Sequence, residues 1–202
     1  MIAILWAGAI GAALVYGLRL LDAPATPARS VIKTLPLAGL TVISGLAGAP
    51  WLLTLGLGLS AIGDAALSRD GERPFLIGPG ALLLAHVAYV AVFLSQAAWT
   101  LPGAWPLLPA LLVLALGMLR VLWGHLGDMR AAVIAYIAAI FAMGVSAVFT
   151  GSALLIVGAL AFTVSDALLA TMLFLNQRSP AISHGVWWLY FGAQMLILSG
   201  FI

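Results

Sequence analysis

Residues 152–174 read SALLIVGALAFTVSDALLATMLF. The stretch is 23 residues long and contains one charged side chain, Asp166. A helix needs about 20 predominantly apolar residues to cross the hydrocarbon core of a bilayer. These residues therefore predict a membrane-spanning helix that carries a single carboxyl group.

The composition shows that the remainder of the chain is equally apolar. Of its 202 residues, 64% are hydrophobic and 7% are charged. A soluble domain carries about 25% charged residues, so 8 Lys and Arg with 6 Asp and Glu cannot cover a water-exposed surface of this size. We therefore predict an integral membrane protein.

Apolar runs separated by charged or Pro/Gly-rich breaks divide the chain into eight segments. The runs are too long for the strands of a β-barrel and lack their alternating pattern, and helices are the other structure that spans membranes. We predict an all-α membrane protein, a single transmembrane domain over residues 1–202 that is a bundle of eight transmembrane helices. The predicted helices are residues 2–21, 31–47, 50–68, 75–97, 105–122, 131–148, 152–174 and 185–201.

The first segment has a second interpretation, as a cleaved signal peptide. Ala23-Pro24-Ala25 resembles a small-residue cleavage site. No basic residue precedes the apolar run, however, and signal peptides begin with a basic region. We therefore favour a membrane helix over residues 2–21.

The basic residues predict the orientation of the helices. All of them lie in or beside alternate connections: Arg19, Arg29, Lys33, Arg69, Arg73, Arg120, Arg130 and Arg178. The turns near Gly48, Pro102 and Gly151 and both termini contain no Lys or Arg. By the positive-inside rule, both termini are expected to be non-cytoplasmic. In a bacterium we expect the protein in the cell (inner) membrane.

Two short motifs hint at an internal repeat. Residues 63–67 read GDAAL and residues 165–169 read SDALL, an offset of 102 residues, and Tyr89 and Tyr190 recur at nearly the same offset. Two four-helix parallel repeats explain this pattern, and chance similarity between apolar helices is the other explanation.

Asp64 and Asp166 are the main candidates for chemistry. Asp64 lies five residues before Arg69 and Asp166 lies twelve before Arg178, so both are predicted in the cytoplasmic half of the bilayer. A carboxylate at this depth costs about 2.5–3.5 kcal/mol on insertion scales, and such residues usually face the bundle interior and serve a function. Alternatively, each is a protonated structural hydrogen-bond donor, or Asp64 reaches the lipid headgroups.

Other polar residues accompany the aspartates. Gly56, Ser60 and Asp64 recur every four residues, so a stripe of small side chains on helix 3 permits a close approach. The polar set consists of Lys33 at the start of helix 2, His86 and Tyr89 on helix 4, Tyr136 on helix 6, and Tyr190 and Gln194 on helix 8. His86 has an alternative role as a hydrogen-bonded packing residue.

Several classes of site are excluded or disfavoured. The chain has no cysteine, so it has neither a thiolate nucleophile nor a cysteine-ligated metal. No two of its three histidines have the i, i+4 spacing of a zinc helix, so we expect no metal and no cofactor. A net charge of +2 provides no footprint for nucleic acid.

The ordered polar motifs resemble those of the YhhN-type lysoplasmalogenases, an eight-helix family. The similarity extends over about residues 30–196. It is carried by Lys33 with Pro36, Gly63-Asp64, Phe75, Gly78, His86, Tyr89, Phe93, Tyr136 with Met143, Ser165-Asp166 with Ala170, and Tyr190 with Gln194.

The resemblance implies an ether hydrolase that acts on a lysophospholipid taken from the membrane. It would cleave the vinyl ether bond of 1-alkenyl-lysoglycerophospholipids, with an ethanolamine or choline headgroup, to a fatty aldehyde and a glycerophospho-alcohol. Two carboxyl groups in a low-dielectric site suit this reaction, because burial and mutual repulsion keep one protonated while the other is ionised. Glycosidases divide acid and base work in the same way.

On this hypothesis Asp166 is the general acid, while Asp64 stabilises the cation and activates water. The reverse assignment stays open. His86, Tyr89, Tyr136, Tyr190 and Gln194 are expected to orient water and the glycerol oxygens. Lys33, Arg69 and Arg73 are expected to hold the phosphate, unless they serve only as topology and headgroup anchors.

Two other functions remain open at this point. Paired intramembrane carboxylates with a repeat are also typical of a proton-coupled small membrane transporter. A lipid-binding or scaffolding protein without turnover is the third possibility, and it would tolerate neutral residues at both aspartates. The oligomeric state is left open.

Overall fold

The structure is a computed structural model that describes residues 1–99 and 103–202. Within these residues it contains eight α-helices and no strand, so the all-α prediction is confirmed. The helices are α1 Ile2–Val15, α2 Pro27–Leu46, α3 Trp51–Leu67, α4 Glu72–Ser95, α5 Leu107–Leu122, α6 Arg130–Thr150, α7 Ala153–Phe174 and α8 Pro180–Ser199. The predicted turn at Pro102 lies outside the described residues.

Three shorter helical turns complete the path of the chain. A π-helical turn, Tyr16–Leu20, continues α1. Two 3₁₀ turns, Trp123–His125 and Gly127–Met129, connect α5 to α6. Of the described helical segments, five are long and apolar enough to cross a membrane: Ile2–Leu20, Glu72–Ser95, Leu107–His125, Gly127–Thr150 and Ala153–Phe174. The protein is therefore a multi-pass membrane protein, and the count of eight spans stays a prediction.

Helices α2 and α8 begin four to five residues earlier than predicted. The side-chain oxygens of Thr26 and Ser179 each accept a hydrogen bond from the backbone N–H three residues later, and a proline follows each of them. Both features favour a helix start. Lys33 therefore lies almost two turns inside α2 rather than at its start, and His184 lies within α8 rather than in a loop. When the π-helical turn Tyr16–Leu20 is counted with α1, the other predicted boundaries differ by three residues or fewer.

The chain forms two compact units. The first unit is Met1–Tyr89 with Phe201–Ile202, and the second is Val90–Gly200. In the first unit α2 packs against both α1 and α3. Hydrogen bonds of 2.7 Å between Ser30 and Ser68, and of 2.8 Å between Ser44 and Thr54, show that α2 and α3 run antiparallel.

Small residues bring α3 and α4 close together in the first unit. A Cβ atom added to Gly63 would lie 2.9 Å from Leu82 and 3.2 Å from the carbonyl oxygen of Gly78. A Cβ atom on Gly56 would lie 2.6 Å from the ring of Tyr89. The close approach predicted from the small-residue stripe of α3 is therefore present.

In the second unit, helices α7 and α8 pack closely against each other. Ser165 donates a hydrogen bond to the carbonyl oxygen of Val186 at 2.8 Å. A Cβ atom on Gly158 would lie 2.9 Å from the side chain of Ile197 and 3.2 Å from the carbonyl oxygen of Ala193. These contacts show that α7 and α8 run antiparallel. Because Gly158 has no side chain, the backbone of α8 can approach α7 closely there.

We expect Gly158→Ala to destabilise the protein, because the new methyl group meets backbone atoms of α8 that cannot move independently. Overpacking costs about 1–3 kcal/mol, which corresponds to several degrees in the midpoint of thermal unfolding in detergent. Gly192→Ala is the matched control, since nothing lies within 4 Å of a Cβ atom there. Alanine favours a helix over glycine, so this variant should be neutral or slightly stabilised. Equal midpoints for the two variants would contradict the packing described above.

Candidate active site

Asp64 forms a buried ion pair with Lys33 in the first unit. The ammonium nitrogen of Lys33 lies 3.4 Å from Oδ1 of Asp64, and the two side chains are 13% and 5% exposed. Lys33 lies in the second turn of α2 because that helix begins at Pro27. Since α2 and α3 run antiparallel, this turn lies beside the last turns of α3. Asp64 is thus enclosed by protein instead of reaching the headgroups.

The end of helix α1 adds a tyrosine and an arginine to this region. Arg29 donates hydrogen bonds to the carbonyl oxygens of Leu20 and Leu21, at 2.9 and 3.0 Å, and to the hydroxyl oxygen of Tyr16 at 3.0 Å. Its guanidinium carbon lies 5.4 Å from the centre of the Tyr16 ring. Arg29 therefore caps the carbonyl end of the π-helical turn, a structural role beyond the topology marker predicted from the sequence.

Tyr16 is a residue that the sequence analysis missed. Its side chain is buried, and its hydroxyl oxygen accepts the hydrogen bond from Arg29. One signal was available: Tyr16 lies three residues before Arg19, at the same predicted membrane face as Asp64. A tyrosine in an apolar helix does not by itself indicate a functional residue, because tyrosines are common at membrane interfaces.

His86 and Tyr89 of α4 are both fully buried. The ring nitrogen Nδ1 of His86 lies 2.7 Å from the carbonyl oxygen of Leu82, one turn earlier. Since a carbonyl oxygen can only accept, the imidazole donates from Nδ1. Tyr89 packs its ring on Gly56, and Ser60 donates to the carbonyl oxygen of Gly56 at 2.9 Å. The small-residue stripe of α3 thus contacts Tyr89, one of the candidate site residues.

Asp166 is the buried carboxylate of the second unit, and Tyr136 is its hydrogen-bond donor. The hydroxyl group of Tyr136 donates to Oδ2 of Asp166 at 2.8 Å, linking α6 to α7. Asp166 is 4% exposed, as is Asp64. The neighbouring Ser165 ties α7 to α8, so the peptide segment that carries Asp166 is held from two sides. Tyr136, which was predicted to bind substrate, therefore forms a direct hydrogen bond with the candidate catalytic residue Asp166.

Tyr190 and Gln194 lie in the core of the second unit. Tyr190 packs edge-on against Phe162, with ring centres 5.4 Å apart, and lies 6.4 Å from the ring of Trp187. Gln194 is fully buried one turn later on α8. Both candidate residues of α8 are therefore buried.

Arg69 and Arg73 differ from the other candidates because both are exposed. In the part of the chain that the structure describes, neither side chain forms an ion pair with an acidic residue. Their proposed phosphate contact therefore stays a prediction. The described residues also contain no group of three His, Asp or Glu side chains placed to hold a metal ion.

The two aspartates have different chemical surroundings. Asp64 has a cationic partner on α2, and Asp166 accepts a hydrogen bond from a phenol on α6. An adjacent ammonium group favours the ionised form of a carboxyl group more strongly than a neutral hydrogen-bond donor does. Asp64 and Asp166 are therefore held by different kinds of partner.

Comparison with known proteins relates this arrangement to a family. The sequence model of the YhhN family matches residues 28–201. Proteins named lysoplasmalogenase from Mycobacterium bovis and Mycobacterium tuberculosis are each 33% identical to the chain over 158 residues. These matches cover 75% of this chain and 60% of each relative, so the chain spans less than two thirds of the relatives' length. No solved structure matches the chain significantly. Since the family match includes both aspartates, their partners Lys33 and Tyr136, and seven of the eight α-helices, the chain belongs to the YhhN family.

Proposed function

We propose that the protein is a lysoplasmalogenase, an ether hydrolase of the membrane. It would convert a 1-alkenyl-lysoglycerophospholipid and water into a fatty aldehyde and glycerophosphoethanolamine or glycerophosphocholine. The relatives named lysoplasmalogenase support the activity. The observation that carries the proposal is the presence of two buried carboxyl groups, one paired with Lys33 and the other bonded to Tyr136.

The chemistry requires one proton donor and one proton acceptor. A carboxylic acid transfers its proton to the outer alkene carbon, and the π electrons form the new C–H bond. The positive charge that remains is shared by the inner carbon and the ether oxygen. Water then adds to the inner carbon and loses a proton to a carboxylate, giving a hemiacetal. Its C–O bond to glycerol breaks as the second carboxyl group gives its proton to the glycerol oxygen, while the hemiacetal hydroxyl group loses its proton to the first, which leaves an aldehyde and restores both carboxyl groups.

The surroundings of the aspartates support one assignment of these roles. Beside the Lys33 ammonium group, Asp64 is suited to remain a carboxylate that stabilises the oxocarbenium ion and accepts the water proton. Asp166 then supplies the proton. Of the two role assignments that the sequence left open, these surroundings therefore favour Asp166 as the general acid and Asp64 as the group that stabilises the cation and activates water.

The remaining candidate residues would bind the substrate. His86, Tyr89, Tyr190 and Gln194 are buried polar side chains suited to orient water and the glycerol oxygens. Arg69 and Arg73 are exposed guanidinium groups suited to hold the lipid phosphate. The alkenyl chain would lie among apolar side chains toward the opposite leaflet.

We expect Asp64→Asn and Asp166→Asn each to lower the rate of aldehyde release by about 100-fold or more, because each removes one arm of proton transfer. The double variant should be scarcely slower than either single variant, since groups that act in one reaction are strongly non-additive. The measurement is aldehyde released from a defined 1-alkenyl-lysophospholipid by the purified protein in detergent.

Asp128→Asn provides the matched control for this experiment. Asp128 is an exposed carboxylate in the connection before α6, so its removal should leave the rate unchanged. A folded parent chain that releases no aldehyde would overturn the lysoplasmalogenase proposal. Turnover that survives in both single variants would overturn the acid–base mechanism while keeping the activity.

Substitution of Lys33 separates its two proposed roles. We expect Lys33→Met to lower kcat by about tenfold or more, because Asp64 loses the cation that stabilises it. Lys33→Arg keeps the positive charge and should retain more activity. A raised KM with an unchanged kcat would instead identify Lys33 as a phosphate-binding residue only. Thermal unfolding of both variants controls for loss of fold, since removing one partner of a buried pair is strongly destabilising.

We also propose that the chain crosses the membrane eight times with both termini non-cytoplasmic. The candidate site would then open toward the cytoplasmic half of the inner membrane. Five spans are supported by length and hydropathy, and α3 is a shorter apolar helix. The alternating distribution of basic residues supports the remaining crossings and their direction.

Single-cysteine labelling tests this topology cleanly, because the chain contains no cysteine. Ala47 follows α2 and Gln177 lies between α7 and α8, and both are exposed. A membrane-impermeant maleimide should label Ala47→Cys in intact bacterial cells and Gln177→Cys only after permeabilisation. Labelling of both positions in intact cells would contradict the proposed topology.

A further inference from the structure

A pair of serine hydroxyl groups joins α2 to α3 beside the candidate catalytic carboxylate. Ser30 and Ser68 are hydrogen-bonded at 2.7 Å, and they are 5% and 2% exposed. Ser30 precedes Lys33 by three residues, and Ser68 follows Asp64 by four. At these spacings each serine lies one turn from the charged residue on the same face of its helix. The hydroxyl pair and the ion pair are therefore adjacent contacts of one helix interface.

Ser68 is also bonded to the backbone of Asp64. It directly follows the last residue of α3, and its N–H group donates to the carbonyl oxygen of Asp64 at 3.1 Å. This bond closes the final turn of the helix, and helix ends fray unless they are held by other contacts. The hydroxyl bond to Ser30 fixes this turn to α2.

The ion pair is too loose to fix its own geometry. The Nζ atom of Lys33 lies 3.4 Å from Oδ1 of Asp64, whereas charge-assisted N–H···O bonds are about 2.7–2.9 Å long. A lysine side chain is flexible, and its ammonium group is a point charge without a preferred direction. The separation of the two charges therefore depends on how α2 and α3 are held against each other.

We infer that Ser30 and Ser68 are positioning residues for Asp64, because their bond fixes the end of α3 against α2. Their task is to keep the ammonium group of the ion pair at the carboxylate. The inference rests on the proposed function, in which this cation keeps the carboxylate ionised. The segment that carries Asp166 is held in a comparable way, by the bond from Ser165 to α8.

The decisive variant is Ser30→Ala. It breaks the link between the helices, while the Ser68 hydroxyl group keeps a carbonyl oxygen, that of Ala65, at 2.8 Å. We expect kcat for aldehyde release to fall by about fivefold, because the cation is no longer held at the carboxylate. KM should change less than about twofold, since Ser30 is not among the residues proposed to contact the substrate.

Ser44→Ala is the matched control, the same substitution in the same helix. Ser44 is fully buried and forms a hydroxyl bond of 2.8 Å to Thr54, which also joins α2 to α3. It lies eleven residues from Lys33, about 16 Å along the helix axis. The midpoint of thermal unfolding should fall by a similar amount in both variants, whereas kcat should stay unchanged in Ser44→Ala.

Ser68→Ala keeps the inference testable if Ser30→Ala is unstable. It removes the same bond from the other helix and should lower kcat to the same extent. The double variant should be no slower than either single variant, because both act through one bond. In a Lys33→Met background neither serine variant should lower kcat further, because the cation that the serines position is gone.

The outcomes distinguish this inference from the proposed function. No aldehyde from the folded parent chain would overturn the function and the inference with it. An active parent chain that is inactivated by Asp64→Asn, together with an unchanged kcat in Ser30→Ala, would overturn the role of the serines and leave the function in place. Equal losses of kcat in Ser30→Ala and Ser44→Ala, or a full further loss in the Lys33→Met background, would also overturn that role.

Discussion

The structure depends on the cost of leaving a polar group without a partner in a medium that contains no water. Each such group costs several kcal/mol in hydrocarbon, so hydroxyl groups within the helices bond either to another helix or to their own backbone. Thr34, Thr41 and Thr163 each donate to the carbonyl oxygen four residues earlier. Glycines at helix contacts then bring backbones close enough for dispersion to hold the helices together.

The same constraint makes the aspartates informative. A buried carboxyl group persists only where the protein compensates it, and the compensation differs at the two positions. Lys33 provides Asp64 with an opposite charge, whereas Tyr136 provides Asp166 with a neutral donor. Differences of this kind separate an acid from a base in many hydrolases. The proposed mechanism therefore follows from the different partner that each unit provides for its buried carboxyl group.

Much of the fold was predictable because hydrophobicity is a property of composition and order. The apolar runs located the helices, and the small-residue stripe of α3 anticipated the contact between Gly56 and Tyr89. The starts of α2 and α8 were missed although Thr26 and Ser179, each followed by proline, are standard helix-start signals. Because of that error Lys33 was predicted at the start of helix 2, whereas it lies almost two turns inside α2. The role of Arg29 was also missed, because its partners are carbonyl oxygens and a phenol brought together by folding.

The class of the protein, the helical segments and the two carboxyl groups that are costly in a bilayer could all be predicted from the order of the amino acids. These are consequences of length, hydropathy and charge, which act on each segment separately. Only the tertiary structure decided the partners of those carboxyl groups, since an ion pair between α2 and α3 depends on the antiparallel register of two helices. Register is set by side-chain packing along the whole contact, and no single segment contains it. For that reason Asp64 was identifiable from the sequence, whereas its pairing with Lys33 and the place of Tyr16 beside Arg29 were not.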